Sequence, residues 1–325
     1  MKRVFLLLTA LFLVTSANAQ LDQVRLEITE GIDNSGLKAA IEDNVSSLIN
    51  SFNRAIIDGK KPRLDASFIT ASGKDNALQM WKSSPMSCPV SSINERCLTM
   101  PGGGFQIRNI PVSVMNAPDE MREQEIVVNL TASGKVDNVM VAIDKNRYVD
   151  VISANISLDD LARRQIIVDF VENFRTAYNR KDIDYLNTVY SDNALIISGK
   201  VIKVKQDSEM SNSLLKEKVV YQTKGKQQYI NDLRRNFKRN KYIDVIFDSL
   251  EVVRHPKYDD IYGVNLKQYW NSSTYNDVGY LFLLIDFKDE SQPCIQVRTW
   301  QPEKYNGKPI DRNEIFTLKS FNIKR

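Results

Sequence analysis

The sequence predicts an α+β protein in two parts, and three observations carry that reading. Apolar residues recur at three-to-four spacing over 34–58 and again from about 157 to 178, which is helical periodicity. Between and after these stretches lie runs rich in Val, Ile, Leu, Phe and Tyr, bounded by Gly, Pro, Asn and Asp, which is the punctuation of strands and turns. This α-then-β order occurs twice in 325 residues, a length that suits two domains.

The chain opens with Met1-Lys2-Arg3, an apolar run from Val4 to Val14, and Thr15-Ser16-Ala17-Asn18-Ala19-Gln20. A short positive segment, an apolar segment and a small-x-small end are the parts of a secretory signal peptide. The apolar run is about a dozen residues, short of the roughly 20 that a spanning helix needs. We expect cleavage after Ala19, no permanent membrane span afterwards, and a mature protein that works in a periplasm or outside a cell. No cysteine follows the cleavage point, so no lipid anchor is indicated there.

In the N-terminal part, residues 20–150, Leu37, Ile41, Val45, Leu48, Ile49, Phe52 and Ile56 mark one face of a helix over 34–58, with Ser35 able to cap it and Asp58-Gly59-Lys60-Lys61-Pro62 to stop it. A short helix is expected over 74–83. A strand from Phe105 to Val114 contains Pro111, which suits an edge or a bulge. Glu125–Leu130 and Val136–Ile143 flank Thr131-Ala132-Ser133-Gly134-Lys135 as a hairpin. The expected sheet has three or four strands.

The second part, 158–325, begins with a helix whose stripe is Ile167, Phe170, Val171, Phe174 and Tyr178, with Arg163, Arg164, Asp169, Glu172 and Arg175 on the wet side. A short helix over 182–190, a strand over 194–198, a polar loop over 202–222 and a third helix from Lys226 follow. Four strands are then expected at 242–253, 261–270, 279–287 and 295–300. Leu281-Phe282-Leu283-Leu284-Ile285 is apolar on both faces, so that strand needs cover on both. The second cover is expected from the N-terminal domain or a second copy, making a homodimer one outcome.

Composition narrows the function classes. Hydrophobic residues at 42% and charged residues at 26% place the chain among globular proteins. The formal charge is +4, and +2 without Lys2 and Arg3, too small to steer the protein to nucleic acid. The basic run from Lys224 to Lys241 is broken by Asp232 and apolar residues and reads as a solvated helix face. Three cysteines are present. Cys88 and Cys97 close a short loop and are the expected disulfide, leaving Cys294 as a buried thiol. His255 is the only histidine and no Cys-x-x-Cys occurs, so no metal site is expected and no cofactor is indicated.

Phe170-Val171-Glu172-Asn173-Phe174-Arg175-Thr176-Ala177-Tyr178-Asn179-Arg180-Lys181-Asp182 resembles the first helix of the nuclear transport factor 2-like superfamily, also called SnoaL-like or cystatin-like. Ile183 to Ala194 resembles its second helix and the start of its first strand. The resemblance covers roughly 158–303. It implies three helices held in a curled antiparallel sheet, a cone whose open end is usually a pocket. Enzymes of this superfamily typically use an Asp, or an Asp/His pair, with a Tyr inside the cone, and binding and assembly modules share the fold. The N-terminal part, with Gly73-Lys74 echoing Gly225-Lys226, reads either as a diverged second copy or as an unrelated, smaller α+β domain.

Strand alternation places Tyr262, Val264, Leu266, Gln268 and Trp270 on one face, and Gln296, Arg298 and Trp300 on one face of the final strand. Gln268, Trp270, Arg298 and Trp300 are therefore the candidate ligand-binding residues, joined by Tyr178 and Tyr190 from the two helices that, as the resemblance implies, close the mouth. The leading functional reading is an exported, non-enzymatic binding or assembly module for a small molecule, a glycan or an envelope protein. The alternative is an isomerase, dehydratase or hydrolase in which Asp192 is the base and Tyr178 or Tyr190 donates a hydrogen bond. Against each stands a plainer role: packing for Trp270, Trp300 and Tyr178, pairing with Asp286 for Arg298, an exposed turn for Asp192.

Overall fold

The structure is a computed structural model that describes residues 23–100, 103–143, 148, 151–152, 158–205 and 215–323. The expected signal peptide, residues 1–19, lies outside the described residues. The chain gathers into two units, divided between Lys145 and Asn146.

In the first unit, β1 (Arg25–Ile28) precedes α1 (Ser35–Asp58) and α2 (Ala71–Ser83). Asn34, not Ser35, caps α1: its side-chain oxygen accepts the Leu37 N–H. The seven apolar stripe residues of α1 face the core or its border. Thr70 caps α2 and starts it three residues earlier than expected, with its hydroxyl on the Gly73 N–H. The strands β2 (Met86–Ser87), β3 (Ser92–Glu95), β4 (Cys97–Thr99), β5 (Phe105–Val114), β6 (Glu123–Leu130) and β7 (Val136–Val141) follow. β2, β4, β5, β6 and β7 form a five-stranded antiparallel sheet, one strand more than expected, and β1 pairs with β3 in parallel. Pro111 falls where β5 has no partner on one side, between the residues paired with β4 and those paired with β2.

That register corrects the disulfide. Ser87 lies opposite Ser113 and Cys97 opposite Ile107 on the same side of β5. The two cysteines are thus about five residues apart along one strand, roughly 15 Å at strand rise. A disulfide needs Cα atoms within about 7 Å. Both thiols are free and buried, and Cys88 Sγ points at the Val90 carbonyl. The Cys88 amide and carbonyl are instead held by the Asn53 side chain of α1.

The second unit runs α3 (Leu158–Arg180), α4 (Ile183–Val189), β8 (Tyr190–Lys205), β9 (Leu215–Gly225), α5 (Lys226–Arg239), β10 (Ile243–Arg254), β11 (Ile261–Ser272), β12 (Asn276–Asp286) and β13 (Cys294–Pro302). Its six-stranded sheet has the order β10-β11-β12-β13-β8-β9. The sheet curls into a half-barrel around the helices, the cone that the resemblance implied. All neighbours are antiparallel except β13 and β8, which run parallel. Here a helix follows the β8–β9 hairpin, whereas both long helices of the first unit precede its main sheet, so the two units differ in element order.

Three expectations for this unit change. The supposed polar loop is largely a hairpin, with eleven β8 residues paired to β9 from Leu195–Gly225 to Lys205–Leu215. Glu172 and Arg175 are not on a wet side: both are buried, and Arg175 Nε donates to the Val245 carbonyl of β10 beside Asp244 and Glu172. Finally, the outer face of β12 has its cover within this unit. Ile261, Phe282 and Leu284 pack with Leu318, Phe316, Phe321 and Ile323, which follow β13. The Phe282 and Phe321 rings stack 5.4 Å apart. Gly263 makes room for this strap, since a Cβ there would stand 3.0 Å from both the Leu318 Cβ and the Phe282 ring.

Candidate functional site

The concave face of the sheet is fixed by what its side chains touch. On β11, Trp270 meets the Tyr178 ring of α3 edge-on at 5.8 Å, and the Tyr262 hydroxyl donates to Asp160 of the same helix. Gln268, between them in the alternation, is buried on that face. Strand pairing carries the face across the sheet. Trp270 lies opposite Asp277 and Gln268 opposite Gly279 on β12. Leu281 lies opposite Trp300 and Leu283 opposite Arg298 on β13. The bulge at Gln296 shifts the alternation, so that Ile295 as well as Arg298 is buried.

The interior of the cone is filled. Tyr178, Tyr190 and Tyr229 are buried with their hydroxyls together: Tyr178 Oη is 2.7 Å from Tyr229 Oη and 3.3 Å from Tyr190 Oη. Phe174, Phe237 and Trp270 pack around them. Burial, with the neighbouring phenols Tyr178 and Tyr229, pushes the Tyr190 hydroxyl far above its ordinary value. Tyr178 and Tyr190 are therefore core residues with satisfied hydroxyls, and neither closes a mouth. The Arg298 guanidinium sits 5.1 Å over the Tyr229 ring rather than on Asp286, whose carboxylate accepts from Gln296.

Asp192 is not in the cone. Its side chain is 94% exposed and accepts from Lys226 Nζ at 2.8 Å. That bond and the lysine charge hold its carboxyl below the usual range. A general base needs the opposite, so the assignment of Asp192 as base is corrected. His255 lies between β10 and β11, where its Nδ1 accepts the Lys257 and Tyr258 N–H groups.

One open space lies at an end of the sheet, where β8, β12 and β13 come together. A cleft of about 530 Å³ is bordered by Gly199 and Lys200 of β8, Tyr275 and Asp277 at the start of β12, and Trp300 of β13. That volume suits a small molecule. Of the expected ligand residues, Trp300 lines this cleft, while Gln268, Trp270 and Arg298 do not. Asp277 was missed because Asn276-Asp277-Val278 is polar and reads as a turn. Its pairing with Trp270 draws it into β12. Burial pushes the Asp277 carboxyl up to about 6, against the Tyr275 hydroxyl and the Arg298 charge, which pull it down.

Three polar atoms here are buried without a hydrogen-bond partner among the described residues: Asp277 Oδ1, Trp300 Nε1 and Arg298 Nε. Trp300 lies across Gly279, where an added Cβ would stand 2.7 Å from the indole ring and 2.2 Å from the Gln301 carbonyl oxygen. The glycine thus lets the indole nitrogen settle beside the strand that carries Asp277, two residues away. No group of three or more His, Cys, Asp or Glu residues able to hold a metal ion occurs among the described residues.

No family model and no curated protein matches the chain. Among solved structures, an NTF2-like protein from Cytophaga hutchinsonii is 12% identical, with 43% of this chain and 98% of that chain covered and a TM-score of 0.33. A Bdellovibrio bacteriovorus protein, Bd1075, is 15% identical over 65% of this chain and 75% of that one, with a TM-score of 0.33. A naphthalene 1,2-dioxygenase with indole bound in its active site is 9% identical over 49% of this chain and 86% of that one, with a TM-score of 0.34. The second unit has a nuclear transport factor 2-like fold. Its two opening helices, its third helix and its curled four-strand finish follow the order that the resemblance implied, with the β8–β9 hairpin standing where a short strand and a polar loop were expected. For the NTF2-like unit this fixes architecture and leaves function to the cleft.

Proposed function

We propose that this is an exported binding protein whose NTF2-like unit takes a small molecule in the cleft between Tyr275, Asp277 and Trp300. The observation that carries the reading is the unpartnered acceptor and donor buried on two residues that line the cleft, Asp277 Oδ1 and Trp300 Nε1. Leaving each such atom buried and unmade costs about 1–3 kcal/mol, which a bound polar group offsets. Export rests on residues 1–20, with Gln20 as the first residue of the mature chain. A single preparation from the native host tests both parts. Intact mass should place the N-terminus at Gln20 in the extracytoplasmic fraction. A thermal-shift screen of that protein should find small polar ligands that raise its melting temperature, with the rise lost in Trp300→Phe. Retention of residues 1–19 in a cytoplasmic fraction sinks the export reading, and ligand shifts unaffected at Trp300 sink the cleft.

One observation favours a second reading. A carboxyl titrating at about 6 in a cleft is suited to proton transfer near neutral pH. Asp277 then replaces Asp192 as the base of an isomerase, dehydratase or hydrolase. Turnover of a carbonyl-bearing substrate that vanishes in Asp277→Asn and survives Asp192→Asn would establish it over simple binding.

A further inference from the structure

We propose that the cleft ligand is an N-acetylated amino sugar, its amide held between Asp277 and Trp300. This names the ligand class of the cleft and rests on the binding reading above.

The two unpartnered atoms ask for complementary groups. Asp277 Oδ1 accepts and needs a donor, whereas Trp300 Nε1 only donates and needs an acceptor. They sit on neighbouring strands. Asp277 is two residues from Gly279, and the Trp300 indole lies against Gly279. A secondary amide presents one N–H and one C=O on opposite sides of a short planar group, so it meets both needs at once. Two separate hydroxyls meet them only by orienting independently.

Peptides and acetamido sugars are two common carriers of such an amide. A peptide recognised by a sheet adds along a free strand edge. No strand around this cleft offers one: β12 is paired to β11 and β13, β13 to β12 and β8, and β8 to β13 and β9. The remaining features suit a ring. Tyr275 is 59% exposed at the rim, a flat apolar surface with a polar tip. Its hydroxyl hydrogen-bonds to the Asp277 carboxyl, and in the proposed complex this exposed side chain turns aside to admit the acetamido group. The cleft of about 530 Å³ accommodates one or two sugar rings. Lys200 supplies a charged rim group for the ring hydroxyls, beside Glu303, which is paired with Lys267 and Lys304.

The test is calorimetric titration of the full-length protein with N-acetylglucosamine and its β-1,4-linked dimer, against glucose and cellobiose, which lack the acetamido group, and against N-acetylalanine methylamide. The acetamido sugars should bind saturably and at least tenfold more tightly than the plain sugars. Trp300→Phe and Asp277→Asn should each weaken them about tenfold or more. Tyr275→Ala should weaken both sugar classes, and melting temperature should show that each variant folds. Equal binding of glucose and N-acetylglucosamine overturns the amide assignment and leaves the binding reading intact. Binding of the peptide amide alone overturns the sugar. No binding of any of these, while the thermal-shift screen finds other Trp300-dependent ligands, rejects the acetamido sugar and not the cleft. A screen that also finds none rejects both.

Discussion

Asp277 binds its proton more tightly in the fold than in the unfolded chain, with a carboxyl moved from 3.8 to about 6 by burial. Below pH 4 the group is protonated in both states and has no effect. Between about 4 and 6 the folded state holds more protons, so stability falls as pH rises, and above 6 the full penalty stays. Allowing for partial solvent screening, that penalty is about 1–2 kcal/mol. Melting curves from pH 3.5 to 8 should therefore show Asp277→Asn more stable than the parent at pH 7–8 and level with it near pH 4. Parallel curves would mean that the carboxyl is not buried as described. Alternation alone located Gln268, Trp270, Arg298 and Trp300 on one face, because strand periodicity is local. It could not locate Asp277, a polar residue whose place in β12 depends on the distant β11.

At the scale of the element, β12 and β13 meet through Gly279, and the closeness of that contact sets the indole. In Gly279→Ala the new Cβ meets the Gln301 carbonyl oxygen at 2.2 Å, and neither backbone can yield freely. We expect a loss of about 2–4 kcal/mol in a denaturant titration and a red-shifted tryptophan emission. Unchanged stability and emission would show that the strands are not so close. The same scale explains what the sequence concealed. The stripe of α3 and the apolar runs of β10 to β12 were legible because each side chain answers to a core. The β8–β9 hairpin was not, because beyond Gly199 it pairs by backbone, while Val204, Val220 and Tyr221 stay substantially exposed. Glu172 and Arg175 looked wet because they are charged. Burial became tolerable only through partners on β10, which no helical wheel displays.

For the molecule as a whole, the need for a second cover on β12 was visible in five consecutive apolar residues, but the source of that cover was not. Residues 316–323 mix polar and apolar side chains at uneven spacing in a short irregular segment and carry no periodic signal. Leu318→Ala should cost about 2 kcal/mol, and Phe316→Ser with Phe321→Ser should leave Phe282 and Leu284 open enough for self-association in light scattering. A monomeric double variant with the parent's melting temperature would show that the strap contributes little. The order of synthesis gives this strap one more consequence. The sheet is complete in sequence at Pro302, yet its lid is sixteen residues further on at Leu318. A chain whose sheet closes before this segment docks shows an apolar back made of Phe282 and Leu284. In that state two chains can stick where one finished chain cannot, so release of the strap alone, with the sheet intact, is enough to start association.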